Sequence, residues 1–406
     1  MKNNILKIIA ILIFSLGFSQ TPISLESAIN KAFNNNLTLK SGALRIDYQN
    51  KMQKSAVVID PLTISGEIGQ MNSSYVDNKI SVSQLVRLPK FYNAQKTVLM
   101  EEYKNSLLHL DLQKWQLKKE ISLVYNELDY LNEKKILLKK ADSIFKQYFN
   151  RADLRLKKGE SNLLEKATAE NLRSQAEMQL KSLEKDKKIT IQKLSFLIND
   201  GNLYQNENTK YRILSLENLT ATNYSGNPLV LQQLEQEKNI QNAKLMAEKA
   251  KLSPSFNLGL NSMTMKGNGS DNKYYNGTQR FQSALVGVNL PVFNSAQKSV
   301  IEAQKVNQQI AENNYQLGLM NLKNQYSQNF GQFQNLNDEI SYYQKTGLQN
   351  SENILKTANN QFFNGEINYL EWTLLVTQSF EIQNKYVDRL KELNDKIIEL
   401  NALTQP

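Results

Sequence analysis

One short stretch occurs twice in this chain and sets the plan of the rest. Residues 88–96 read LPKFYNAQK, and residues 290–298 read LPVFNSAQK. Each copy follows an alternating run that predicts a strand, and each opens a long run with helical period. Proline suits the first turn of a helix, because it lacks the N–H that this turn leaves unpaired and its φ is already close to the helical value. We therefore predict strand-to-helix corners at Pro89 and Pro291.

A second repeated stretch predicts the turns between long helices. Residues 157–165 read KKGESNLLE and residues 363–371 read FNGEINYLE, with Gly, Glu, Asn, Leu and Glu at matching places. Landmarks that recur in one order at nearly constant separation indicate an internal duplication. The first repeat is expected to cover residues 20–198 and the second residues 228–403, joined by a turn-rich segment at 199–227.

The composition excludes several classes of function. The chain has 406 residues, no cysteine and a single histidine, His109, which excludes disulfides, thiolate metal sites and histidine triads. The thioethers of Met263 and Met265 are a ligand type for Cu(I), but an apolar pair near a loop is their commoner role. The net charge is +10, yet lysines alternate with glutamates along the predicted helices, which favours solvated helix faces over nucleic-acid binding. We predict no enzyme activity, no cofactor and no metal site, since nucleophile–base pairs and phosphate loops are missing from the sequence.

Residues 1–19 have the pattern of a secretory leader. Lys2 and Lys7 precede an apolar run, and small residues before Gln20 suit cleavage. The apolar run is too short to span a bilayer, although an uncleaved anchor is the alternative. No later segment has the hydropathy of a transmembrane helix, so entry into a membrane would have to use strands.

Four short runs alternate between apolar and polar residues and are predicted to form strands. They cover residues 62–71, 79–88, 255–265 and 281–290. Tilted runs of this length can cross an outer membrane, with the apolar side toward lipid and the polar side toward water. Two hairpins on a soluble sheet would show the same period, but the leader favours the membrane. Because four strands cannot close a barrel and an open edge cannot face lipid, three chains are expected to share a twelve-stranded barrel.

Long helices make up most of the chain. They are predicted at residues 89–156, 160–198, 291–363 and 366–403. Apolar residues recur in these runs at seven-residue spacing, which is typical of helices packed side by side in a supercoil. The expected fold class is mainly α with a small β part, in which coiled-coil helical hairpins carry four membrane strands per chain.

Six features in this order resemble the TolC-like family of outer-membrane efflux channels. They are the run LESAI at residues 25–29, the run NNN at residues 34–36, the two Leu-Pro corners and the two glycine turns. The resemblance covers essentially the whole mature chain. It implies a homotrimer, with a twelve-stranded β-barrel in outer-membrane lipid and an α-helical tunnel through the periplasm. It also implies two partners, a periplasmic membrane-fusion adaptor and an inner-membrane pump.

A finer resemblance is to the heavy-metal branch of this family, which includes CusC- and CzcC-like channels. It rests on residues 71–84, 159–165 and 250–254. It implies that the pump is of the RND type and that the cargo is a heavy-metal cation. Drug efflux and type I protein secretion stay open as other cargoes, and a periplasmic coiled-coil scaffold without a pore stays open as a different class of protein.

The two glycine turns are expected to form the periplasmic tip that meets the adaptor. Glycine permits the positive φ needed where one helix reverses into the next. A plain structural turn would explain the glycines, but less readily an exposed Leu156 or Phe363. The predicted docking residues are Arg155, Leu156, Gly159, Glu160, Ser161, Phe362, Phe363, Gly365, Glu366 and Ile367.

Glu165 and Glu371 lie six residues after the two glycines. In the family, acidic residues at this spacing line the tunnel constriction, where three copies of each would form a carboxylate ring that favours cations. A solvated helix glutamate is the alternative. Phe362 and Ile367 lack the hydroxyl and charge that join the closed tip in some family members, so those gate contacts are not expected here.

Overall fold

The computed structural model describes residues 21–207, 210–216 and 228–404. The leader predicted at residues 1–19 lies outside the described residues, as does much of the segment predicted to join the repeats. Within the described ranges, no helix has both the length and the hydropathy needed to cross a lipid bilayer.

The described residues are mostly helical. The helices are Leu25–Asn35 (α1), Leu37–Gln53 (α2), Pro89–Lys157 (α3), Leu163–Ile198 (α4), Leu229–Ala250 (α5), Ser295–Tyr342 (α6), Leu348–Asn364 (α7) and Tyr369–Thr404 (α8). A π-helical turn, Tyr343–Gly347, separates α6 from α7. Local signals start several of these helices: Ser24 Oγ accepts the N–H of Ser27 before α1, and Pro89 is the first residue of α3.

Two sheets make up the β part of the described chain. Strands β1 (Thr21–Ile23) and β4 (Tyr204–Asn206) pair in parallel. The larger sheet is antiparallel, in the order β2-β3-β5-β6. Its strands are Thr63–Gly69 (β2), Asp77–Arg87 (β3), Ser255–Asn268 (β5) and Tyr274–Asn289 (β6). The β3–β5 pairing joins the hairpins of the two predicted repeats and leaves β2 and β6 as edges.

The register of the larger sheet separates apolar from polar side chains, because residues opposite one another in adjacent strands point to the same face. The mainly apolar face carries, row by row, Val86, Phe256 and Val288, then Gln84, Leu258 and Val286, then Ile64, Val82, Leu260 and Ala284. The other face carries rows such as Ser65, Ser81, Asn261 and Ser283. Ile64, Leu260 and Val286 are 69%, 68% and 72% exposed, so the chain by itself leaves the apolar face uncovered.

The chain forms two compact units. The first spans Met1–Ser41, Asp111–Pro228 and Met320–Pro406, and the second spans Gly42–Leu110 and Leu229–Leu319. Each unit contains parts of both predicted repeats, because the chain passes from one unit to the other within long helices. The division into sequence repeats therefore stays a prediction.

Apolar seams hold the helices of the first unit together. The seam near the helix ends contains Phe145, Val376 and Phe380, and another contains Ile340, Leu390, Leu393 and Ile397. Asn394 is fully buried beside this second seam. Its Oδ1 accepts the N–H of Leu214 at 2.9 Å and its Nδ2 donates to the carbonyl of Arg212 at 3.0 Å. The side-chain amide thus satisfies the backbone of segment 210–216 in place of a neighbouring strand.

Glutamine amides join helices in the second unit. Gln297 Nε2 on α6 donates to both the carbonyl oxygen and Oε2 of Glu248 on α5, at 3.0 and 2.9 Å. Gln304 makes the same pair of bonds to Gln241, at 3.3 and 2.8 Å. The many glutamines of the sequence are therefore not only a solvated surface, since some act as clamps between helices.

The second strand-to-helix corner differs from its prediction. Helix α6 begins at Ser295, so Pro291 lies four residues before the helix rather than in its first turn. The N–H of Val292 bonds to the carbonyl of Leu290 at 2.9 Å, and the carbonyl of Asn294 accepts the N–H of Lys298 at 2.9 Å. Asn is a strong helix-starting residue, which explains the later start.

The second hairpin is longer than the sequence pattern indicated. Its strands continue to Asn268 and resume at Tyr274, through a stretch that was expected to be a loop. The register is irregular between Thr264 and Lys266. Gly277, with φ of 89°, lies in this irregular part of β6. A positive φ lets glycine bend the strand while pairing continues beyond the bulge.

Candidate functional site

The first glycine turn, between α3 and α4, closes with a backbone bond typical of a helix C-terminus. Gly159 has φ of 75°, a conformation that costs glycine little. The N–H of Glu160 bonds back to the carbonyl of Arg155 at 2.9 Å. This is the long bond of a Schellman motif, which satisfies a carbonyl left free at the end of the helix.

The second turn, between α7 and α8, repeats the first with the same geometry. Gly365 has φ of 78°, and the N–H of Glu366 bonds to the carbonyl of Gln361 at 2.8 Å. Each of these residues lies 206 positions after its counterpart in the first turn. The return helices α4 and α8 are both 36 residues long. The two turns are therefore structural equivalents.

An asparagine caps the helix that follows each turn. Asn162 Oδ1 accepts the N–H of Glu165 at 2.9 Å, and Asn368 Oδ1 accepts the N–H of Glu371 at 3.0 Å. Asn is among the best N-cap residues, because its oxygen reaches the free N–H groups of the first turn. The shared Gly-Glu-x-Asn spacing of the sequence is thus explained by a helix end, a reversal and a helix start.

The two glutamates predicted to line a constriction lie in different surroundings. Glu165 is only 3% exposed. Its carboxylate accepts from Arg155 Nη1 at 3.0 Å and from the hydroxyl of Ser161. Glu371 is exposed, and its Oε2 accepts the N–H of Asn368 at 3.0 Å.

The difference between the glutamates follows from two substitutions between the repeats. Gln361 and Ile367 occupy the places of Arg155 and Ser161 in the second turn. Neither can offer the charged guanidinium or the hydroxyl that hold Glu165, so the Glu371 carboxylate turns back to complete a capping box. Of the two predicted carboxylates, only Glu371 is exposed in the chain.

Aromatic side chains bring the two turns together. The Phe362 ring lies 5.2 Å from that of Trp372 and 5.7 Å from that of Tyr148 on α3. Ile367 packs against the same seam. The Phe363 ring faces outward. The guanidinium carbon of Arg151 lies 3.8 Å from the centroid of this ring. Phe362 and Ile367 therefore stabilise the turn from inside, and Phe363 offers an apolar surface.

Several exposed leucines beside the turns were missed as docking residues. Leu163, Leu164 and Leu370 are exposed, and Leu164 and Leu370 occupy matching positions in the repeat. Leu156 is half-buried, whereas the sequence predicted an exposed side chain at this position. The sequence carried a signal for Leu164 and Leu370, because they recur at the same place in the two repeated stretches, two residues after the asparagine.

The predicted docking residues form one cluster at the two turns. Glu160 and Glu366 are exposed beside the glycines, while Arg155 and Ser161 are occupied with Glu165. Whether this cluster binds an adaptor stays a prediction. Among the described residues, no group of three or more His, Asp or Glu side chains could hold a metal ion.

Long helical hairpins with two equivalent turns and a sheet with one uncovered apolar face are the features expected of the outer-membrane channels that the sequence resembles. Residues 225–404 match the family described as outer membrane efflux protein, so the chain has the predicted resemblance to TolC-like outer-membrane efflux channels. It is a transport duct rather than an enzyme, located in the outer membrane and extending into the periplasm. The comparison with curated proteins found no match.

Solved structures share the fold over nearly the whole chain. A membrane protein from Pseudomonas aeruginosa is 17% identical, with a TM-score of 0.77 and 93% of each chain covered. CusC is 16% identical, with a TM-score of 0.76 over 96% of this chain and 94% of CusC. VceC from Vibrio cholerae is 14% identical, with a TM-score of 0.74 over 94% of this chain and 96% of VceC. The predicted fold class, mainly α with a small β part, is confirmed.

Proposed function

We propose that three copies of this chain form the exit duct of a tripartite efflux system that exports heavy-metal cations. The partners would be a periplasmic membrane-fusion adaptor and an inner-membrane pump of the RND type. Channels of this family are homotrimers that work with an adaptor and a pump. The alternative of a pore-free scaffold is not retained, because the family consists of efflux channels.

The single observation that carries the duct is the two-faced sheet with open edges. β2 and β6 each pair on one side only. Unpaired backbone groups cost several kcal/mol each in lipid, so the edges need partners. Pairing β6 of one chain with β2 of the next would close twelve strands after three chains, with apolar rows outward and serine-rich rows toward water.

The two turns supply the surface proposed to meet the adaptor. They combine backbone geometry held by local bonds with exposed apolar groups at Phe363, Leu164 and Leu370. Glu160 and Glu366 add negative charge beside them. Exposed apolar groups rimmed by charge are common where a protein binds a partner.

The constriction proposed at the tip rests mainly on Glu371. Three exposed carboxylates brought together would attract cations into a narrow pore. The Glu165 carboxylate is already neutralised by Arg155, so its ring would contribute less. We expect Glu371→Gln to lower the ratio of cation to anion permeability in planar bilayers, and Glu165→Gln to lower it less. A larger effect of Glu165→Gln would contradict this assignment.

The metal cargo rests on the resemblance of the sequence to the heavy-metal branch, and the fold likeness to CusC is compatible with it. A deletion strain carrying an empty vector, the wild-type gene or the Glu371→Gln gene would be tested for growth on copper, zinc, cobalt and drugs. Metal tolerance restored by the wild-type gene, and not by the empty vector, supports the proposal. Drug sensitivity with unchanged metal tolerance would assign the duct to drug efflux instead.

A further inference from the structure

On β5 and β6 the apolar face of the larger sheet becomes polar toward the hairpin ends, whereas β3 and β2 keep Ile80 and Ile68 on this face. Beyond the row of Leu260 and Ala284, the next row on β5 and β6 contains Ser262 opposite Gln282. The row after that contains Thr264 opposite Arg280. This change of character occurs on the face that lies next to lipid in the proposed barrel.

Arg280 lies flat on this face, held by three hydrogen bonds. Its Nε donates to Ser262 Oγ, its Nη2 to the Ser262 carbonyl and its Nη1 to Asn78 Oδ1, each at 2.8 Å. The residue is exposed. A guanidinium has five N–H groups, so two remain, one on each terminal nitrogen. N–H groups of a guanidinium can bind two oxygens of one phosphate group.

No carboxylate in the described part of the chain forms a salt bridge with Arg280. Asp77 is adjacent to Asn78 in β3 and therefore points to the opposite face. Asp271, in the hairpin loop, accepts the hydroxyl of Tyr275 at 2.9 Å. Lys266 stands over the ring of Tyr75, 5.2 Å from its centroid. Arg280 therefore has no acidic partner among the described residues.

Arg280 lies at the height where lipid headgroups are expected. It precedes Val288, in the apolar row nearest the helices, by eight residues of β6. Eight residues span about 27 Å along a strand, or roughly 20 Å across the membrane at the usual tilt, close to the apolar height of outer-membrane barrels. Since the helices extend into the periplasm, the hairpin ends belong to the outer leaflet.

We propose that Arg280, held by Ser262 and Asn78, binds the phosphate of an outer-leaflet glycolipid whose acyl chains cover the apolar face of the sheet. This inference rests on the proposed function, because it requires that face to meet lipid. The apolar rows supply affinity for the acyl chains, and the two outward N–H groups of Arg280 supply the preference for phosphate.

The test uses the purified full-length trimer in mild detergent, with lipid A and dephosphorylated lipid A as probes in native mass spectrometry. Arg280→Gln is expected to weaken lipid A binding about tenfold or more and to leave dephosphorylated lipid A unchanged. Arg280→Lys keeps the charge but loses the paired donors. Its affinity for lipid A is expected to lie between those of the wild type and Arg280→Gln. Inorganic phosphate alone is expected not to bind at millimolar concentration.

Lys79→Gln is the matched control. Lys79 carries the same charge on β3 but lies on the opposite face, where it pairs with Glu67 at 3.3 Å. This variant is expected to bind lipid A as the wild type does. Equal lipid A binding by Arg280→Gln and wild type, or an equal loss in Lys79→Gln, overturns the inference.

Bilayer conductance of the same preparations separates this inference from the proposed function. A conducting Arg280→Gln trimer that retains lipid A overturns the phosphate site and leaves the duct intact. A wild-type chain that neither trimerises nor conducts overturns the duct, and the lipid site with it.

Discussion

Arg155 and Gln361 occupy matching positions before the two turns, but only Arg155 has a carboxylate partner. Its guanidinium is partly exposed and meets a Glu165 side chain that is almost entirely buried. Removing a partner from a buried carboxylate is costly because the remaining charge has lost both water and its counterion. The stability of the first turn therefore depends on the Arg155 side chain, whereas the second turn does not depend on Gln361 in this way.

We expect Arg155→Ala to destabilise the first turn by about 1–2 kcal/mol, less than for a fully buried pair because the arginine is half in water. Amide hydrogen exchange of residues 159–165 should become roughly tenfold faster. Gln361→Ala is the control at the equivalent position and should leave residues 365–371 unchanged. Similar exchange at both turns in both variants would contradict this assignment.

The carboxyl of Asp129 makes the stability of the folded chain depend on pH. Burial raises the pKa of its carboxyl to about 6, although a hydrogen bond from Asn206 opposes the shift. The folded chain then holds the proton more tightly than the unfolded chain. This group therefore favours folding at low pH, and its contribution is lost as the pH rises from about 4 through about 6.

We expect Asp129→Asn to flatten the pH dependence of stability. Relative to the variant, the wild type should lose about 1–3 kcal/mol of unfolding free energy as the pH rises from 4 to 7. Thermal unfolding at pH 4, 5.5 and 7 measures it. Asp47→Asn, at an exposed carboxylate on α2, should follow the wild-type curve. Parallel curves for wild type and Asp129→Asn would contradict the burial argument.

At the scale of secondary-structure elements, the turns and the helices place opposite demands on glycine. Gly365 has φ of 78°, and a Cβ added there would meet nothing within 4 Å. A side chain at this position would therefore be unfavourable because of the backbone conformation and not because of steric clashes. Gly331 lies inside α6, also with open space around it. In a helix interior, glycine is less favourable than alanine.

Gly365→Ala should therefore destabilise the chain by about 1–2 kcal/mol, whereas Gly331→Ala should stabilise it by about 0.5–1 kcal/mol. Thermal unfolding of the two variants beside the wild type measures both. Shifts of the same sign would show that contacts, rather than backbone conformation, decide the outcome.

Segment 210–216 depends on the buried amide of Asn394. Asn394→Leu would leave the N–H of Leu214 and the carbonyl of Arg212 without their partner, at a cost of about 1–3 kcal/mol. Limited proteolysis should then cut this segment faster. The control is Asn401→Ala, since Asn401 donates to the Ser215 carbonyl at an exposed position where water can replace it. Equal cleavage of the two variants would contradict the role of burial.

At the scale of the whole molecule, the open edges of the sheet predict how copies assemble. Ser65 on β2 and Ser283 on β6 belong to one row of the polar face. The chain has no cysteine of its own, so introduced cysteines give a clean background.

Ser65→Cys combined with Ser283→Cys should yield covalent trimers with a short bismaleimide, whose reach allows for the stagger between strands of a barrel. Ser81→Cys combined with Asn261→Cys is the control, because these residues lie opposite one another on the inner strands β3 and β5, so their cross-links form within one chain. Gel electrophoresis reads the products. Covalent trimers from the control pair alone would contradict closure of the barrel through β2 and β6. An absence of covalent trimers with both pairs would contradict it as well.

Local chemistry allowed much of the candidate site to be predicted. The Gly-Glu-x-Asn pattern specifies a helix end, a positive φ and a new N-cap within seven residues, so both turns were found at Gly159 and Gly365. Leu164 and Leu370 belong to the same repeated pattern but lie beyond the predicted docking residues, which end at Ser161 and Ile367. The unlike roles of Glu165 and Glu371 could not be predicted with the same ease, because they depend on which side chains lie opposite across the turn.

The amino-acid sequence is enough to predict the set of elements: the helices with their seven-residue seams, the alternating strands, the duplicated turns and the corner at Pro89. These depend on interactions between residues close in the chain. Four features required the three-dimensional structure: the pairing of β3 with β5, the start of α6 after Pro291, the bonds from Asn394 to a distant segment, and the position of Arg280 across Ser262 and Asn78. Each of these joins residues far apart in sequence or settles a competition between near-equal local signals, and packing in three dimensions determines the outcome.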